Sequence, residues 1–401
     1  MNPQEQEPLR IRQIRIDGLF GLYNHCINLN LKERVTILHG PNGVGKTITL
    51  KMIENLFEKL VEALGGTNNI FWKIPFNLFF VEFTDGSSIK LLATEKGNQE
   101  FDFKLITNDG SQHNTILTKQ GSDFTFDYDL WFTENNLKTH FIGVDRLNSA
   151  HSKKHKPIGL IATKQNGISS TITNYSKDLV EIIESTLASY ARESQVLDQS
   201  FPQRLMLASS TDGTNIKSRL SSLDRQRLEL QEIGLLDQVD TPFFDSANLD
   251  ELISKEKKVM ILYVEDTERK LAVFEGFARR IKLLLNNINT KFKNKHLRID
   301  REKGFIVISD SGQILDLDLL SSGEQHEIVL FYDLLFRIKP NTLVLIDEPE
   351  LSLHVSWQDH FLPDLLKIVE IAHFDVLIAT HSPYIVGDYI DLMVALETGT
   401  I

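Results

Sequence analysis

Eight residues near the start of the chain, Gly40, Pro41, Asn42, Gly43, Val44, Gly45, Lys46 and Thr47, fit the spacing G-x-x-x-x-G-K-[ST]. Glycines let a backbone fold its N–H groups around an anion, and a helix starting beside them adds partial positive charge. From that place Lys46 can reach the outer phosphates of a nucleoside triphosphate, and the Thr47 hydroxyl can bind Mg2+. A second candidate set lies roughly 300 residues further on, where Asp347 and Glu348 end the apolar run "TLVLI". There Asp347 can hold the metal, directly or through water, while Glu348 orients or deprotonates an attacking water. His381 closes a third run, "FDVLIATHSP" (Phe374–Pro383), at a position suited to touch a terminal phosphate and register its loss.

These groups need elements that bring them together. "VTIL" before Gly40 is a β-branched apolar strand, and a helix follows with its stripe at Ile48, Met52, Ile53, Leu56 and Leu60. The runs before Asp347 and His381 have the character of parallel strands covered on both faces, and carboxylates at the C-terminal ends of such strands lie where ligands bind. A further helix starts at "LSSGE" (Leu320–Glu324), with apolar positions Ile328, Phe331, Leu334 and Leu335. Ser321, Ser322 and Gly323 therefore sit at a positive helix end suited to a phosphate. Gly40–Thr47 already wraps that phosphate from one side. The second helix end therefore makes sense capping a nucleotide held by another copy, reciprocally in a twofold dimer.

Composition sets the outer bounds. At 401 residues, with 41% hydrophobic and 24% charged residues, the chain has the make-up of a globular protein of two lobes or domains. The lone Cys26 excludes an internal disulfide or a multi-cysteine zinc site. A polar N-terminus and the lack of a membrane-length apolar run point to a cytoplasmic address with no membrane partner. The net charge of −12 works against indiscriminate nucleic-acid binding, although two basic stretches, His151–Lys156 and Lys291–Arg298, could contact phosphates.

The motifs "GPNGVGKT", "LSSGE", "LVLIDEPELSLH" and "IATHSP" resemble the Walker A, signature, Walker B with D-loop, and switch-histidine motifs of ABC-type ATPase heads. "DEPELSLH" and the opening "RIRQIRIDGLFGLYNHCINLNL" are similar to the soluble branch that includes RecF, SMC-like repair ATPases and OLD-family proteins. The resemblance implies an α/β P-loop NTPase fold, an ABC/SMC-like ATPase head, with ATP and Mg2+ as cofactors. Gly40–Thr47 would hold the phosphates, Thr47 and Asp347 the metal, Glu348 the water, and His381 the γ-phosphate. Ser321–Gly323 would act in trans. Relatives carry a glutamine on a loop near the metal; here Asp145 or Gln165 stands as the candidate for that role.

Between the head motifs the sequence reads first as β: "IPFNLFFVEFTDGSSIKLLATEK", "FDFKLITNDGS" and "FTFDYDL", with turn signals between them, form an antiparallel lobe. Helical stretches follow at Ser176–Phe201, broken at Pro202, then at about Asn215–Leu236 and about Glu265–Lys291. A segment containing "DTPFFDSANLD" joins the last two into a hairpin or short arm without sustained heptads. The expected division is head over 1–175, inserted helical arm over 176–295 and head again over 296–401. No C-x-x-C is present for a zinc hook, and the chain ends 20 residues after His381, where OLD nucleases carry a further domain.

"ARESQVLDQSFPQRL" and "IATHSPYIVGDYIDLMVAL" resemble PtuA-type ATPases of Septu and related retron anti-phage systems. That implies a slow regulatory ATPase, working as a head-to-tail ATP-sandwich dimer or higher homo-oligomer with a separate effector nuclease. A RecF-like DNA-repair ATPase and a non-hydrolysing nucleotide-dependent scaffold are the alternatives.

Overall fold

The structure, a computed structural model, describes residues 8–57, 69–94, 97–118, 127–135, 137–143, 167–207, 215–237, 252–253, 255–351 and 353–396. The chain divides into two compact units, one of residues 1–149 with 333–401 and the other of residues 150–332.

The first unit holds two sheets. Strands β1 (Ile11–Leu19), β2 (Tyr23–Asn28), β4 (Leu78–Phe83), β5 (Ser88–Thr94), β6 (Gly97–Ile106) and β7 (Gln112–Thr118) form an antiparallel sheet in the order β2-β1-β4-β5-β6-β7. Alternation sets its faces: Phe79, Val81 and Phe83 of β4 are buried, while the residues between them are half-exposed. Strands β3 (Val35–His39), β8 (Lys138–Ile142), β12 (Thr342–Asp347), β13 (Asp375–Ala379) and β14 (Met393–Ala395) form a parallel sheet ordered β14-β3-β13-β12-β8. Every residue of β12 and β13 is buried, as continuous apolar runs in a doubly covered sheet require. Helix α1 (Lys46–Phe57) turns Leu50, Met52, Ile53 and Leu56 into a core shared with Ile14 and Ile16 of β1, Phe79 of β4 and Leu345 of β12. Arg10 clamps the start of β13 through a two-pronged pair with Asp375, at 2.9 and 2.5 Å.

The described part of "FTFDYDL", Asp127–Leu130, is helical from Tyr128 and not strand. Its aromatic alternation imitates a strand, but Asp127 accepts the Leu130 N–H at 2.9 Å and caps a helix, α2 (Tyr128–Glu134). Phe124–Phe126 lie outside the described residues.

In the second unit, helix α3 (Gly167–Leu207) runs 41 residues, about 60 Å, and passes through Pro202 instead of stopping there. Proline removes one backbone donor near the last turns, the one that would reach the Asp198 carbonyl; close by, Ser200 Oγ donates to the Val196 carbonyl and Arg204 Nη2 to the Leu197 carbonyl, at 2.9 and 2.8 Å. Helix α4 (Ile216–Glu232) and helix α5 (Lys257–Asn289) both pack in this unit; α5 meets α3 through a two-pronged Arg204–Asp266 pair and meets α4 through Arg219–Glu268. The helices are longer than a short arm: α5 begins eight residues before Glu265. The segment "DTPFFDSANLD" lies outside the described residues. Strands β9 (Lys295–Asp300), β10 (Gly304–Ser309) and β11 (Ile314–Leu315) form a small antiparallel sheet, followed by helix α6 (Ser322–Tyr332). This sheet docks on α3, where Ser176 Oγ donates to the Lys303 carbonyl and accepts the Phe305 N–H, so residues 296–332 pack with the helices of their own unit. Back in the first unit a π-turn, Asp333–Arg337, buries Leu334 and Leu335. Helices α7 (Val355–Ala372) and α8 (Pro383–Val386) complete the set.

Candidate functional site

Three adjacent strands of the parallel sheet, β3, β13 and β12, deliver the three predicted motifs to one end of the sheet. Gly40–Gly45 follows β3, His381 follows β13, and Asp347 and Glu348 end β12. The histidine's strand lies between the other two. Its ring therefore stands between their side chains: Nδ1 is 3.1 Å from Lys46 Nζ and Nε2 is 2.7 Å from Glu348 Oε1. A lysine ammonium can only donate, so the imidazole accepts at Nδ1 and donates from Nε2 to the carboxylate.

Gly43 and Gly45 hold φ values of +84° and +100°, which L side chains rarely adopt. A Cβ on Gly45 would come 2.6 Å from Leu19, and one on Gly40 would meet the Leu396 carbonyl at 2.9 Å. The loop is thus shaped around backbone rather than side chains. Lys46 is 6% exposed and directs Nζ at the Gly40 and Pro41 carbonyls, 2.6 and 3.1 Å away, as well as at His381. Burial pushes the ammonium's pKa down, opposed by the nearby Glu348, Glu350 and Asp347. Thr47 Oγ1 donates to Asp347 Oδ1 at 2.9 Å. Asp347 has its pKa raised, first by burial and then by Glu348 and Glu350, with the Thr47 bond pulling the other way.

A cavity of about 480 Å³ opens over these groups, within the range of small-ligand sites. Phe20, at the β1–β2 turn, supplies a phenyl ring at its rim, a surface on which a flat base can stack. The residues fit a magnesium–triphosphate. The glycine cradle admits phosphate oxygens, and Lys46 offers a buried cation with no carboxylate partner among the described residues. Thr47 and Asp347 place a hydroxyl and a carboxylate side by side, hard oxygen ligands of the kind Mg2+ takes together with phosphates and water. Among the described residues no cluster of three His, Cys, Asp or Glu could hold a metal by itself. Any cation here would depend on oxygens from a ligand.

Beside the expected Glu348, two supporting residues, His25 and Glu350, carry no signal in the local sequence. Glu348 adopts φ +44°, and its N–H donates to the Ala379 carbonyl at 2.8 Å, fixing the end of β12 against β13. His25 is 2% exposed and donates Nε2–H to the Val44 carbonyl at 2.8 Å, bracing the glycine loop from below; burial lowers its pKa. Glu350 binds the backbone around His381. Nothing in local patterning separates such residues from ordinary strand and loop positions.

Ser321–Gly323 belong to the second unit. Ser321 and Ser322 are exposed, and α6 begins at Ser322 as expected. The start is a capping box. Glu324 Oε2 accepts the Ser321 N–H at 2.9 Å, while Ser321 Oγ accepts the Glu324 N–H at 3.4 Å. The S-x-x-E spacing was visible in sequence and explains the glutamate. Lys295 also pairs with Glu324, at 2.9 Å. In the basic stretch Lys291–Arg298, Lys291 is buried in an ion pair with Glu327, so two of its lysines are engaged with α6. Asp145, Gln165 and the stretch His151–Lys156 lie outside the described residues. No helix among the described residues is long and apolar enough to cross a membrane.

The chain is 22% identical over 425 residues to "Retron Ec83 probable ATPase" of Escherichia coli, covering 94% of this chain and 69% of that protein. Among solved structures it is similar to "SMC head domain from Thermotoga maritima", at 14% identity and TM-score 0.39, covering 96% of this chain and 94% of that one. It is also similar to an Smc head domain from Pyrococcus furiosus bound to the C-terminal domain of ScpA, at 12% identity and TM-score 0.38, covering 97% and 94%. Residues 35–387 match the family described as "AAA domain, putative AbiEii toxin, Type IV TA system". The match spans well over half of the chain, which therefore belongs to that AAA-domain family.

Proposed function

We propose that the protein is an ABC-like ATPase whose nucleotide state governs a partner in a bacterial anti-phage defence complex. One observation carries the reading: Lys46, His381 and Glu348 converge in one pocket, beside the Thr47–Asp347 pair. On this reading Gly40–Thr47 cradles the phosphates, and Lys46 turns from the Gly40 and Pro41 carbonyls toward them. Thr47 and Asp347 hold Mg2+, which neutralises phosphate charge when bound. Glu348 orients water, and His381 exchanges its Lys46 contact for the terminal phosphate.

The exposed Ser321 and Ser322, with Gly323, would complete the pocket of a second copy in a head-to-tail sandwich. The amides of Ser322 and Gly323, which lack intrahelical acceptors, would supply the donors. Turnover is slow and regulatory, and the governed partner is a separate effector nuclease of the Septu or retron kind. Likeness to a retron ATPase supports the defence setting. Engagement of Lys291 and Lys295 in ion pairs, with the net charge of −12, favours a protein partner over direct work on DNA.

Turnover by wild type and Glu348→Gln tests the reading. The glutamine is expected to lower kcat by about 10²–10³-fold with nucleotide affinity nearly unchanged. Equal rates would leave a nucleotide-dependent scaffold. Ser322→Arg is expected to abolish nucleotide-linked dimerisation in light scattering and to leave single-site binding intact; unchanged dimerisation would sink the sandwich.

A further inference from the structure

Glu350 lies two residues beyond Glu348, in the 3-10 turn Pro349–Leu351, and none of the catalytic roles uses it. Its carboxylate reaches back to the end of β13. One oxygen, Oε1, accepts the Thr380 hydroxyl at 2.9 Å, the His381 N–H at 2.8 Å and the Ser382 N–H at 3.2 Å. Thr380 is fully buried, and its hydroxyl oxygen also accepts the Ser382 N–H at 3.0 Å. Gln358, on α7, braces the same bridge from the other side. It accepts the Ser382 hydroxyl at 2.9 Å and donates to the Glu350 carbonyl at 3.3 Å.

A loop after a sheet strand could satisfy these amides with water or a neutral side chain. Here a carboxylate does so. Its second oxygen is buried with no hydrogen-bond partner among the described residues, and Asp347 and Glu348 stand close by in the chain. Three acidic side chains within four positions repel one another, and a buried acceptor left unmade is costly. Hydrogen bonds to a charged acceptor are stronger and more directional than neutral ones, so the gain is a fixed backbone at His381. The ring of His381 meets Lys46 Nδ1-to-Nζ on one side and Glu348 Oε1 on the other. A displacement of the backbone by even one ångström would lose one of those contacts.

We infer that Glu350 is a positioning residue for hydrolysis: by pinning the backbone of Thr380–Ser382 it sets the imidazole of His381 between Lys46 and Glu348. The same carboxylate hangs from the turn that follows Glu348, so movement of that turn is passed to the histidine. The inference rests on the ATPase reading above for its kinetic consequence, but its geometric core does not.

Two measurements test it. Amide hydrogen exchange on the nucleotide-free protein reads the pinning directly. Glu350→Ala is expected to speed exchange at His381 and Ser382 by about tenfold or more, since it removes charge-assisted bonds. Exchange unchanged at both amides overturns the inference whether or not the protein hydrolyses ATP. In steady-state turnover, Glu350→Ala is expected to lower kcat by about 10–100-fold with nucleotide affinity within about threefold of wild type. Glu350→Gln, which keeps an acceptor at the same reach but loses the charge, is expected to fall between wild type and Glu350→Ala; a Gln variant slower than the Ala variant would overturn the inference.

A cycle with His381→Ala separates positioning from mere support: in that background Glu350→Ala should cost nothing more. Additive losses, or wild-type turnover by Glu350→Ala, would overturn the role in hydrolysis. If wild type and Glu348→Gln turn over equally, the ATPase reading fails instead, and the exchange result still decides the pinning. Should Glu350→Ala not fold, Glu350→Asp keeps the charge one methylene short and carries the same expectations.

Discussion

Two buried lysines, one in each unit, show how differently a fold can use the same side chain. Lys46 is 6% exposed and Lys291 9%. Lys46 ends on two carbonyls and an imidazole, all neutral acceptors. Lys291 ends on the carboxylate of Glu327 and lies 4.5 Å above the Phe331 ring. Neutral acceptors satisfy the geometry of an ammonium without an ion pair, and burial depresses the Lys46 pKa against the pull of Glu348, Glu350 and Asp347. Such a lysine is ready for an incoming anion. Lys291 already has its anion, and a cation so paired holds α6 to the end of α5 and is closed to phosphate. In sequence Lys46 stands in a phosphate-binding motif and Lys291 in a basic stretch that could contact phosphates. What separates them is the acceptor each one meets.

Breaking the paired lysine should have the larger effect. Lys291→Met leaves Glu327 buried without its cation and is expected to cost about 3–5 kcal/mol in denaturant unfolding, with nucleotide affinity unchanged. Replacing both members, Lys291→Met with Glu327→Leu, should recover most of that loss, because the cost comes from the stranded charge. A loss of nucleotide affinity in the single variant, in protein shown to be folded, would break the comparison.

Lys46→Met should do the reverse. Its donors end on neutral groups, so stability is expected to change by no more than about 1 kcal/mol. Turnover and nucleotide affinity should fall by about 10²–10³-fold, as when a preorganised charge is removed from a developing anion. Strong destabilisation with binding intact would make Lys46 a structural lysine like its counterpart.

Legibility in the sequence followed how local each cause was. The glycine loop, the carboxylates at the end of β12 and the helix start at Ser322 were readable because each depends on residues a few positions apart. The order β3-β13-β12 was not, since it depends on β3 pairing with β13 from the far end of the chain; yet that order is what puts His381 between Lys46 and Glu348. Glu350 and His25 were invisible for the same reason: each acts on a backbone brought near by the sheets. The expected break at Pro202 does not occur because, so near the helix end at Leu207, the proline removes a single backbone bond. In "FTFDYDL" the residues from Tyr128 are helical because the cap at Asp127 outweighs their alternation.

His25 offers a smaller test in the unit of Lys46. Burial lowers its pKa, so the unfolded chain binds the proton more tightly than the folded one. The stability this gives is present above the ordinary histidine pKa and is lost as pH falls through that value toward the depressed one. The slope from this one group is at most about 1.4 kcal/mol per pH unit across that window. His25→Gln keeps a donor for the Val44 carbonyl and removes the titration, so it should flatten this part of the stability–pH curve. An unchanged slope would assign the acid sensitivity to another group.

The smallest effect should come from two neighbouring serines in the unit of Lys291, where the two kinds of role lie one residue apart. Ser321 takes part in the capping box, so Ser321→Ala is expected to cost about 0.5–1 kcal/mol; its bond to Glu324 N is long, and Glu324 stays tied to Lys295. Ser322 is exposed at the first helical position, outside the box, and Ser322→Ala should leave unfolding within about 0.5 kcal/mol of wild type. If Ser322 meets a phosphate held by a second copy, its loss should appear instead in nucleotide-linked self-association, measured by light scattering at several protein concentrations. The pair then repeats the contrast of the lysines at lower energy: one side chain satisfied within its own fold, the other presented outward with no side-chain hydrogen bond among the described residues. A stability loss at Ser322 equal to that at Ser321, with self-association unaffected, would erase that contrast and make the whole helix start a cap.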